Sequence, residues 1–177
     1  MKKVLLIDDD KVLTRHYEEA LGVQGFQVDV CSSVSDIMCL ALSSYDLIVC
    51  DLMMPNDGFF ANVGTNRNLI TGLRVAEHIR GDPCDVPIVL LTNLNIDSVL
   101  DDVERSIEPL TDVVLMKKYD FNPVEFSQVA LSLINREMAE YLPPALGRRL
   151  ADSIIVRAPI IPGFVTLDLL KLFGKKK

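Results

Sequence analysis

Polar side chains that could bind a metal ion or a phosphoryl group follow four of the short apolar runs in this sequence. They are Asp8, Asp9 and Asp10 after the first run, Asp51 after the second, Thr92 after the third, and Lys117 with Lys118 after the fourth. Carboxylates held close together repel and raise one another's pKa unless a cation lies among them. Mg²⁺ accepts a few carboxylate oxygens, keeps several waters and leaves room for phosphate oxygens. With a lysine and a threonine hydroxyl at the same place, this set predicts phosphoryl-transfer chemistry.

The elements that would bring these residues together are predicted from the alternation of apolar runs with helical patterns. Five strands are predicted, at residues 4–7, 26–30, 46–50, 86–91 and 112–116. Helices are indicated between and after them by apolar residues three or four apart, and the second helix is predicted over residues 33–42. Strands that are apolar on both faces and alternate with helices indicate a doubly wound α/β fold with a parallel sheet. In such sheets the site lies at the carboxyl ends of the strands.

Composition and motifs argue against several classes of protein. The chain has 177 residues, with 18 Lys and Arg against 25 Asp and Glu, and this acidic balance does not suit direct binding of nucleic acid. A phosphate-binding glycine motif is missing, so nucleotide binding is not expected. We expect no transmembrane segment, because no apolar run reaches about 18 residues. Four cysteines without a C-x-x-C pair, and no secretory signal, favour a cytoplasmic protein with reduced thiols.

Four segments together resemble the receiver domain of two-component response regulators. They are residues 4–10 (VLLIDDD), 47–55 (LIVCDLMMP), 86–92 (VPIVLLT) and 114–117 (VLMK), in this order on the expected elements. The resemblance covers about residues 1–136 and implies the flavodoxin-like receiver fold, which is a doubly wound five-stranded parallel sheet. Residues 1–138 are therefore predicted to form a receiver domain. Residues 139–177 are predicted to be a short helical extension.

The resemblance implies a phosphorelay function rather than an enzyme with a substrate of its own. Asp51 would take a phosphoryl group from a histidine kinase or a phosphotransfer protein and become an aspartyl phosphate. Mg²⁺ would be held by Asp8, Asp9, Asp51 and the backbone carbonyl of Met53. Thr92 would move its hydroxyl onto the phosphoryl group and alter the nearby surface, which would switch the binding of partners.

The catalytic lysine is assigned to Lys117, with Lys118 as the alternative. The family normally has a proline after this lysine, in a cis peptide, and the sequence has Lys118 there. Two further departures from the family concern the readout and the rate of phosphorylation. The aromatic switch residue three positions before the lysine is Val114, and the position after Thr92, where the family prefers a small residue, is Asn93.

Structural roles are predicted for four polar residues near these motifs. Asp10 is expected to cap the first helix rather than bind metal, because an aspartate at a helix start accepts free backbone N–H groups. Cys50 is expected to be a small buried strand residue. His16 and His78 are expected on the helix surfaces.

An insert and an extension distinguish this chain from the family pattern. Asp51 and Gly72, the glycine that opens the third helix, are separated by about a dozen residues more than usual, which places an insert at residues 56–71. It carries Phe59 and Phe60, and it is either a lid or partner contact, or a tolerated surface loop.

The extension contains seven of the 18 basic side chains but only three of the 25 acidic ones. Two short helices are predicted in it, at residues 145–157 and 165–173, which are too little chain for a helix-turn-helix domain. We expect the extension to dock on the receiver itself or on a second copy of the chain. A downstream partner protein and an anionic membrane surface are the further alternatives.

Two other functions remain open at this point. A pseudo-receiver would keep the fold and bind partners without phosphorylation, although Asp51, Thr92 and a lysine are all present. A phosphatase of the haloacid dehalogenase type also uses an aspartate at a strand end with Mg²⁺. It needs a second acid two residues after the nucleophile, and Met53 occupies that position here.

Overall fold

The computed structural model describes residues 1–60, 69–93, 103, 105–107, 109–110, 112–118, 120–135 and 154–157. Its strands are β1 (Lys3–Ile7), β2 (Gln27–Cys31), β3 (Leu47–Asp51), β4 (Ile88–Thr92), β5 (Val113–Lys117) and β6 (Ile154–Arg157). Its helices are α1 (Lys11–Val23), α2 (Val34–Ile37), α3 (Thr71–Gly81) and α4 (Pro123–Asn135), with a short 3-10 helix at Leu42–Ser44. Val103 and residues 105–107 are also helical. None of the helices in this described part of the chain has both the length and the apolar character needed to cross a membrane.

The sheet has the order β2-β1-β3-β4-β5-β6, and its first five strands run parallel. The chain passes from β1 out to β2 and returns to β3 on the other side of β1, so the strand order reverses there. This confirms the predicted doubly wound, five-stranded parallel sheet. Because the five strands point the same way, the residues that follow β1, β3, β4 and β5 lie along one edge.

Both faces of the sheet are buried by helices. Alternate strand residues such as Leu5, Ile48 and Leu90 pack with α2 and α3 on one face. The residues between them, such as Leu6 and Val49, pack with α1 and α4 on the other face. This period-two division explains why the strands are continuous apolar runs in the sequence.

The ends of α1 and α4 are set by capping side chains. Asp10 accepts hydrogen bonds from the backbone N–H groups of Val12 and Leu13, both at 3.0 Å, which confirms its predicted capping role. At the start of α4, Asn122 and Glu125 form a reciprocal capping box, in which each side chain accepts the other residue's backbone N–H.

The second helix is shorter than predicted. It was expected over residues 33–42, but α2 ends at Ile37, and a separate 3-10 turn covers Leu42–Ser44. Ala41 has a ψ angle of 83°, so an α-helix cannot continue through it.

The prediction of a helix over residues 145–157 is wrong for its last four residues. Residues 154–157 form β6, which pairs antiparallel with β5. Ile154, Ile155 and Val156 are β-branched residues that favour strands, and the outer edge of β5 offers unpaired backbone groups. Residues 154–157 of the extension therefore add a strand to the receiver sheet, while the predicted docking of the extension through its last helix stays a prediction. Residues 145–153 and the predicted helix at 165–173 lie outside the described residues.

The start of the insert packs against the α2 and α3 face. The Asn56 side-chain oxygen accepts the Phe60 backbone N–H at 2.8 Å, and the Phe59 and Phe60 rings contact each other edge to face. Phe59 also contacts the ring of His78 on α3, with centroids 5.8 Å apart. The lid or partner contact expected of the insert stays a prediction, because residues 61–68 lie outside the described part of the chain.

Candidate functional site

Asp51 is the last residue of β3, and its carboxylate is buried at the carboxyl edge of the sheet. Only 5% of the residue is exposed. One carboxylate oxygen, Oδ1, accepts the backbone N–H of Met53 at 3.3 Å, and the other, Oδ2, accepts the ammonium of Lys118 at 2.9 Å. The carboxylate is therefore fixed by a backbone donor on one side and a buried cation on the other.

Asp8 and Asp9 lie beside Asp51, as the sequence predicted. One carboxylate oxygen from each of the three residues lies within 4.8 Å of those of the other two. Asp8 is buried, while Asp9 is exposed to solvent. Asp8 is held in place because its N–H donates to the Cys31 carbonyl at 3.1 Å and its Oδ1 accepts the N–H of Asp10 at 2.8 Å. Three hard oxygen donors with one side open to water fit Mg²⁺, which keeps several waters when it binds.

The lysine at this site is Lys118, so the prediction that Lys117 lies beside Asp51 is wrong. The Lys118 ammonium lies 2.8 Å from Asp8 Oδ2 and 2.9 Å from Asp51 Oδ2. Its side chain is 6% exposed, whereas Lys117, the last residue of β5, is exposed to solvent. The position three residues before the lysine is thus Leu115 rather than Val114, and it is equally non-aromatic.

The alternation of side chains along the strands explains the placement of Lys118. Asp8, Asp51 and Lys118 each come two residues after a strand residue that packs on the α1 and α4 face, namely Leu6, Val49 and Met116. Because side chains alternate between faces with period two, the three polar residues lie on the same side of the sheet edge. Lys117 instead continues the opposite set, which includes Leu115. Strand parity is the signal in the sequence that could have identified Lys118 as the site lysine.

The electrostatics of the site favour an ionised lysine beside an aspartate that is unusually easy to protonate. Burial raises the pKa of Asp51 from 3.8 to about 6, and the neighbouring charge of Asp8 adds to this, although the Lys118 hydrogen bond opposes it. Burial alone would lower the pKa of Lys118, but its hydrogen bonds to Asp8 and Asp51 outweigh burial and raise it. At neutral pH Asp51 is therefore mostly a carboxylate, and a bound cation would stabilise that form further.

Thr92 is the last residue of β4 and is buried at the same edge. It pairs in register with Lys117, and its carbonyl accepts the backbone N–H of Lys118 at 2.8 Å. Asn93, which follows it, is exposed. The structure thus brings Thr92 next to the lysine loop, while a role for its hydroxyl in phosphoryl transfer stays a prediction. The same holds for the Met53 carbonyl as a metal ligand.

Gly72 supports the site from α3. Its N–H donates to the Leu52 carbonyl at 3.0 Å. A Cβ atom at this position would collide with the carbonyl oxygen of Asp51 and would lie 2.9 Å from both the Asp51 carbonyl carbon and the Leu52 Cα. Only glycine lets α3 begin this close to the backbone of the candidate phosphoacceptor.

The remaining predicted structural roles are confirmed. Cys50 is fully buried in β3, with its thiol donating to the Asp51 carbonyl at 3.4 Å. His16 and His78 are exposed on α1 and α3.

Known proteins of one family share this sequence pattern and fold. The model of the response regulator receiver domain matches residues 4–125. The transcriptional regulatory protein PcoR of Escherichia coli is 28% identical over 123 residues, which are 68% of this chain and 47% of PcoR. The transcriptional regulatory protein CpxR of Klebsiella pneumoniae is 42% identical over 55 residues, 31% of this chain and 24% of CpxR. The chain spans about half or less of the length of these relatives.

Solved receiver structures have the same fold. The response regulator TrrA of Thermotoga maritima, solved in complex with Mg²⁺ and BeF, superposes with a TM-score of 0.55 at 26% identity, covering 75% of this chain and 99% of TrrA. A CheY-like receiver domain protein of Methanospirillum hungatei gives a TM-score of 0.59 at 15% identity, covering 79% of this chain and 98% of the other. The family match covers well over half of the chain, and we conclude that the chain belongs to the response regulator receiver domain family of two-component systems.

Proposed function

We propose that this chain is a phosphoacceptor receiver, in which Asp51 takes a phosphoryl group from a histidine kinase or a phosphotransfer protein. The observation that carries the proposal is the arrangement around Asp51. Its buried carboxylate contacts the Lys118 ammonium at 2.9 Å, and the carboxylates of Asp8 and Asp9 converge on the same point. A nucleophile, a cation for the developing charge and a metal-binding pair are the parts that phosphoryl transfer to a carboxylate requires.

Mg²⁺ is the cofactor that fits the acidic residues. Asp8, Asp9 and Asp51 would hold it, together with the carbonyl of Met53. When bound, the ion would neutralise charge on the phosphoryl oxygens. Support for this assignment comes from TrrA, which was solved with Mg²⁺ and BeF. In this chain the Lys118 ammonium occupies one side of the two buried carboxylates, which leaves the exposed side, near Asp9, for the ion.

The transfer step uses Asp51 in its ionised form. A carboxylate oxygen of Asp51 forms a bond to phosphorus while the bond from phosphorus to the donor nitrogen breaks, and the leaving nitrogen takes a proton from water or from the donor protein. Lys118 then moves from the carboxylate to a phosphoryl oxygen, because the new oxygens carry more negative charge. The Thr92 hydroxyl would donate to another phosphoryl oxygen, which would draw the β4 end inward and change the surface near it.

The output of this switch would be a change in protein contacts. We propose that the chain works in the cytoplasm as a signalling module without a substrate of its own. Its partners would be the phosphodonor and either a downstream protein or a second copy of the chain, engaged through the extension. β6 places part of this extension directly beside β5, the strand that leads to Lys118. Direct binding of nucleic acid is not part of the proposal.

Incubation with acetyl phosphate and Mg²⁺ tests the proposal, with the intact mass measured by mass spectrometry. The wild type should gain one phosphoryl group, and the gain should disappear when EDTA removes Mg²⁺. Asp51→Asn should gain none. Asp57→Asn is the matched control, because Asp57 is exposed and has a φ of 50° that asparagine also adopts. A wild type that stays unmodified would favour the pseudo-receiver, and turnover of assorted phosphate esters would favour the phosphatase.

A further inference from the structure

We propose that Tyr17 is a positioning residue for Lys118, which holds the site lysine in place through a hydrogen bond from α1. The proposal rests on the proposed function of Asp51, because it concerns the lysine that contacts this aspartate. It adds a residue outside the acidic cluster, two helical turns away from the metal-binding carboxylates.

Lys118 has a backbone that is held on both sides. Its N–H donates to the Thr92 carbonyl at 2.8 Å, and its carbonyl accepts the hydroxyl of Tyr17 at 3.2 Å. The bond to Thr92 continues the β4–β5 ladder, because Thr92 pairs in register with Lys117. Lys118 lies one residue beyond the end of β5, and its carbonyl is held by Tyr17 on α1. Together the two hydrogen bonds fix the backbone of the residue whose side chain contacts both Asp8 and Asp51.

Tyr17 is rigidly placed for this role. The residue is 4% exposed, and its ring meets the ring of Phe126 on α4 edge to face, with centroids 4.9 Å apart and an interplanar angle of 78°. Edge-to-face pairs of this kind are favourable beyond the area they bury. The Tyr17 ring is therefore fixed between α1 and α4, and its hydroxyl donates to the buried carbonyl of Lys118.

Helix α1 contacts both residues of the Asp8–Lys118 ion pair. At its start, Asp10 caps the helix and donates its own N–H to Asp8 Oδ1 at 2.8 Å. Two turns later, Tyr17 bonds the carbonyl of Lys118. One helix thus fixes both the carboxylate of Asp8 and the backbone of the lysine that contacts it. Loss of the Tyr17 hydroxyl would release the lysine end of this arrangement while leaving the Asp8 end intact.

Tyr17→Phe tests the proposal, because it removes the hydroxyl and keeps the ring in contact with Phe126. One neutral hydrogen bond corresponds to about a fivefold change in an equilibrium or a rate. We therefore expect phosphorylation of Asp51 by acetyl phosphate with Mg²⁺ to slow by about fivefold. A second measurement does not need phosphorylation. In a ¹H–¹⁵N spectrum of the side-chain ammonium groups, the buried Lys118 signal should broaden or disappear in the variant.

Tyr45→Phe is the matched control. The Tyr45 hydroxyl donates to Asp29 at 2.8 Å, so this variant also loses one tyrosine hydrogen bond. Tyr45 precedes β3 and lies at the opposite end of the sheet from Asp51, about 20 Å away along the strand. The free energy of unfolding should fall in both variants, but only Tyr17→Phe should affect the phosphorylation rate and the Lys118 signal.

The outcomes separate this inference from the proposed function. A wild type that takes no phosphoryl group contradicts the proposed function, and the Lys118 ammonium signal then decides the role of Tyr17 alone. If Tyr17→Phe keeps the wild-type ammonium signal, and matches Tyr45→Phe in any phosphorylation rate that can be measured, Tyr17 is only a core residue and the inference is wrong.

Discussion

Replacement of Gly72 by alanine probes the junction between α3 and the candidate phosphoacceptor. The N–H of Gly72 bonds the Leu52 carbonyl at 3.0 Å, and an added methyl group would collide with the backbone of Asp51 and Leu52. The atoms that this methyl group would contact belong to the main chain at the end of β3, in the centre of the sheet. They cannot move by a rotamer change, as the end of a flexible side chain could.

Two opposing contributions set the size of the effect. Alanine favours a helix over glycine by about 1 kcal/mol. Forcing a methyl group into a packed site costs typically 1–3 kcal/mol, and an unyielding backbone places this site near the top of that range. The free energy of unfolding should therefore fall by about 2 kcal/mol. Asp51 must also shift to relieve the contact, so phosphorylation should become slower.

Gly81→Ala is the control within the same helix. A Cβ atom at Gly81 meets nothing within 4 Å, so this variant should keep the wild-type stability or gain up to about 1 kcal/mol. Urea unfolding followed by circular dichroism measures both variants, and we expect their free energies of unfolding to differ by about 2–3 kcal/mol. Equal stability of Gly72→Ala and Gly81→Ala would refute the close approach of α3 to Asp51.

Other consequences of the site can be measured separately. Without Mg²⁺, Lys118→Met should lower the free energy of unfolding by about 3 kcal/mol, because the buried carboxylates of Asp8 and Asp51 lose their counter-ion. Lys117→Met, at an exposed position, should change it by less than about 0.5 kcal/mol. Similar losses for the two variants in urea unfolding would contradict the placement of Lys118 at the site. In metal-free buffer, the NMR signal of the Asp51 carboxyl carbon should titrate with a midpoint near pH 6, and Mg²⁺ should lower this midpoint because a cation favours the charged form. A midpoint at 3.8 that does not change with Mg²⁺ would contradict both the burial of Asp51 and metal binding. Asp10→Ala should lower the free energy of unfolding through loss of the α1 cap but leave the Mg²⁺ affinity, measured by calorimetry, nearly unchanged. A large loss of Mg²⁺ affinity would instead make Asp10 a metal ligand.

The sheet and the position of the site could be predicted from the sequence because both follow from local patterns. Each central strand is a continuous apolar run, and a parallel sheet brings the residues after such runs to one edge. Asp8, Asp9 and Asp51 were placed together on this basis, and the structure brings them within 4.8 Å. The cap at Asp10 was equally local, since it depends only on the residues that follow it.

The features that were missed depend on contacts between distant segments or on the length of an element. β5 extends to Lys117, so the alternation of faces continues past the predicted strand end and selects Lys118. β6 forms because the edge of β5 is available to pair with residues 154–157, which a helical pattern in the local sequence could not reveal. The bond from Tyr17 to Lys118 joins residues 101 positions apart, and in the sequence Tyr17 appears only as part of an apolar helix face.

The identity of the phosphorylated residue is the most direct test of the central claim. After incubation with acetyl phosphate and Mg²⁺, reduction with borohydride converts an aspartyl phosphate to homoserine, and peptide sequencing by mass spectrometry then locates it. We expect homoserine at position 51 and an unchanged aspartate at positions 8 and 9. Homoserine at another position, or an unmodified Asp51 under conditions in which the protein is folded and binds Mg²⁺, would contradict it.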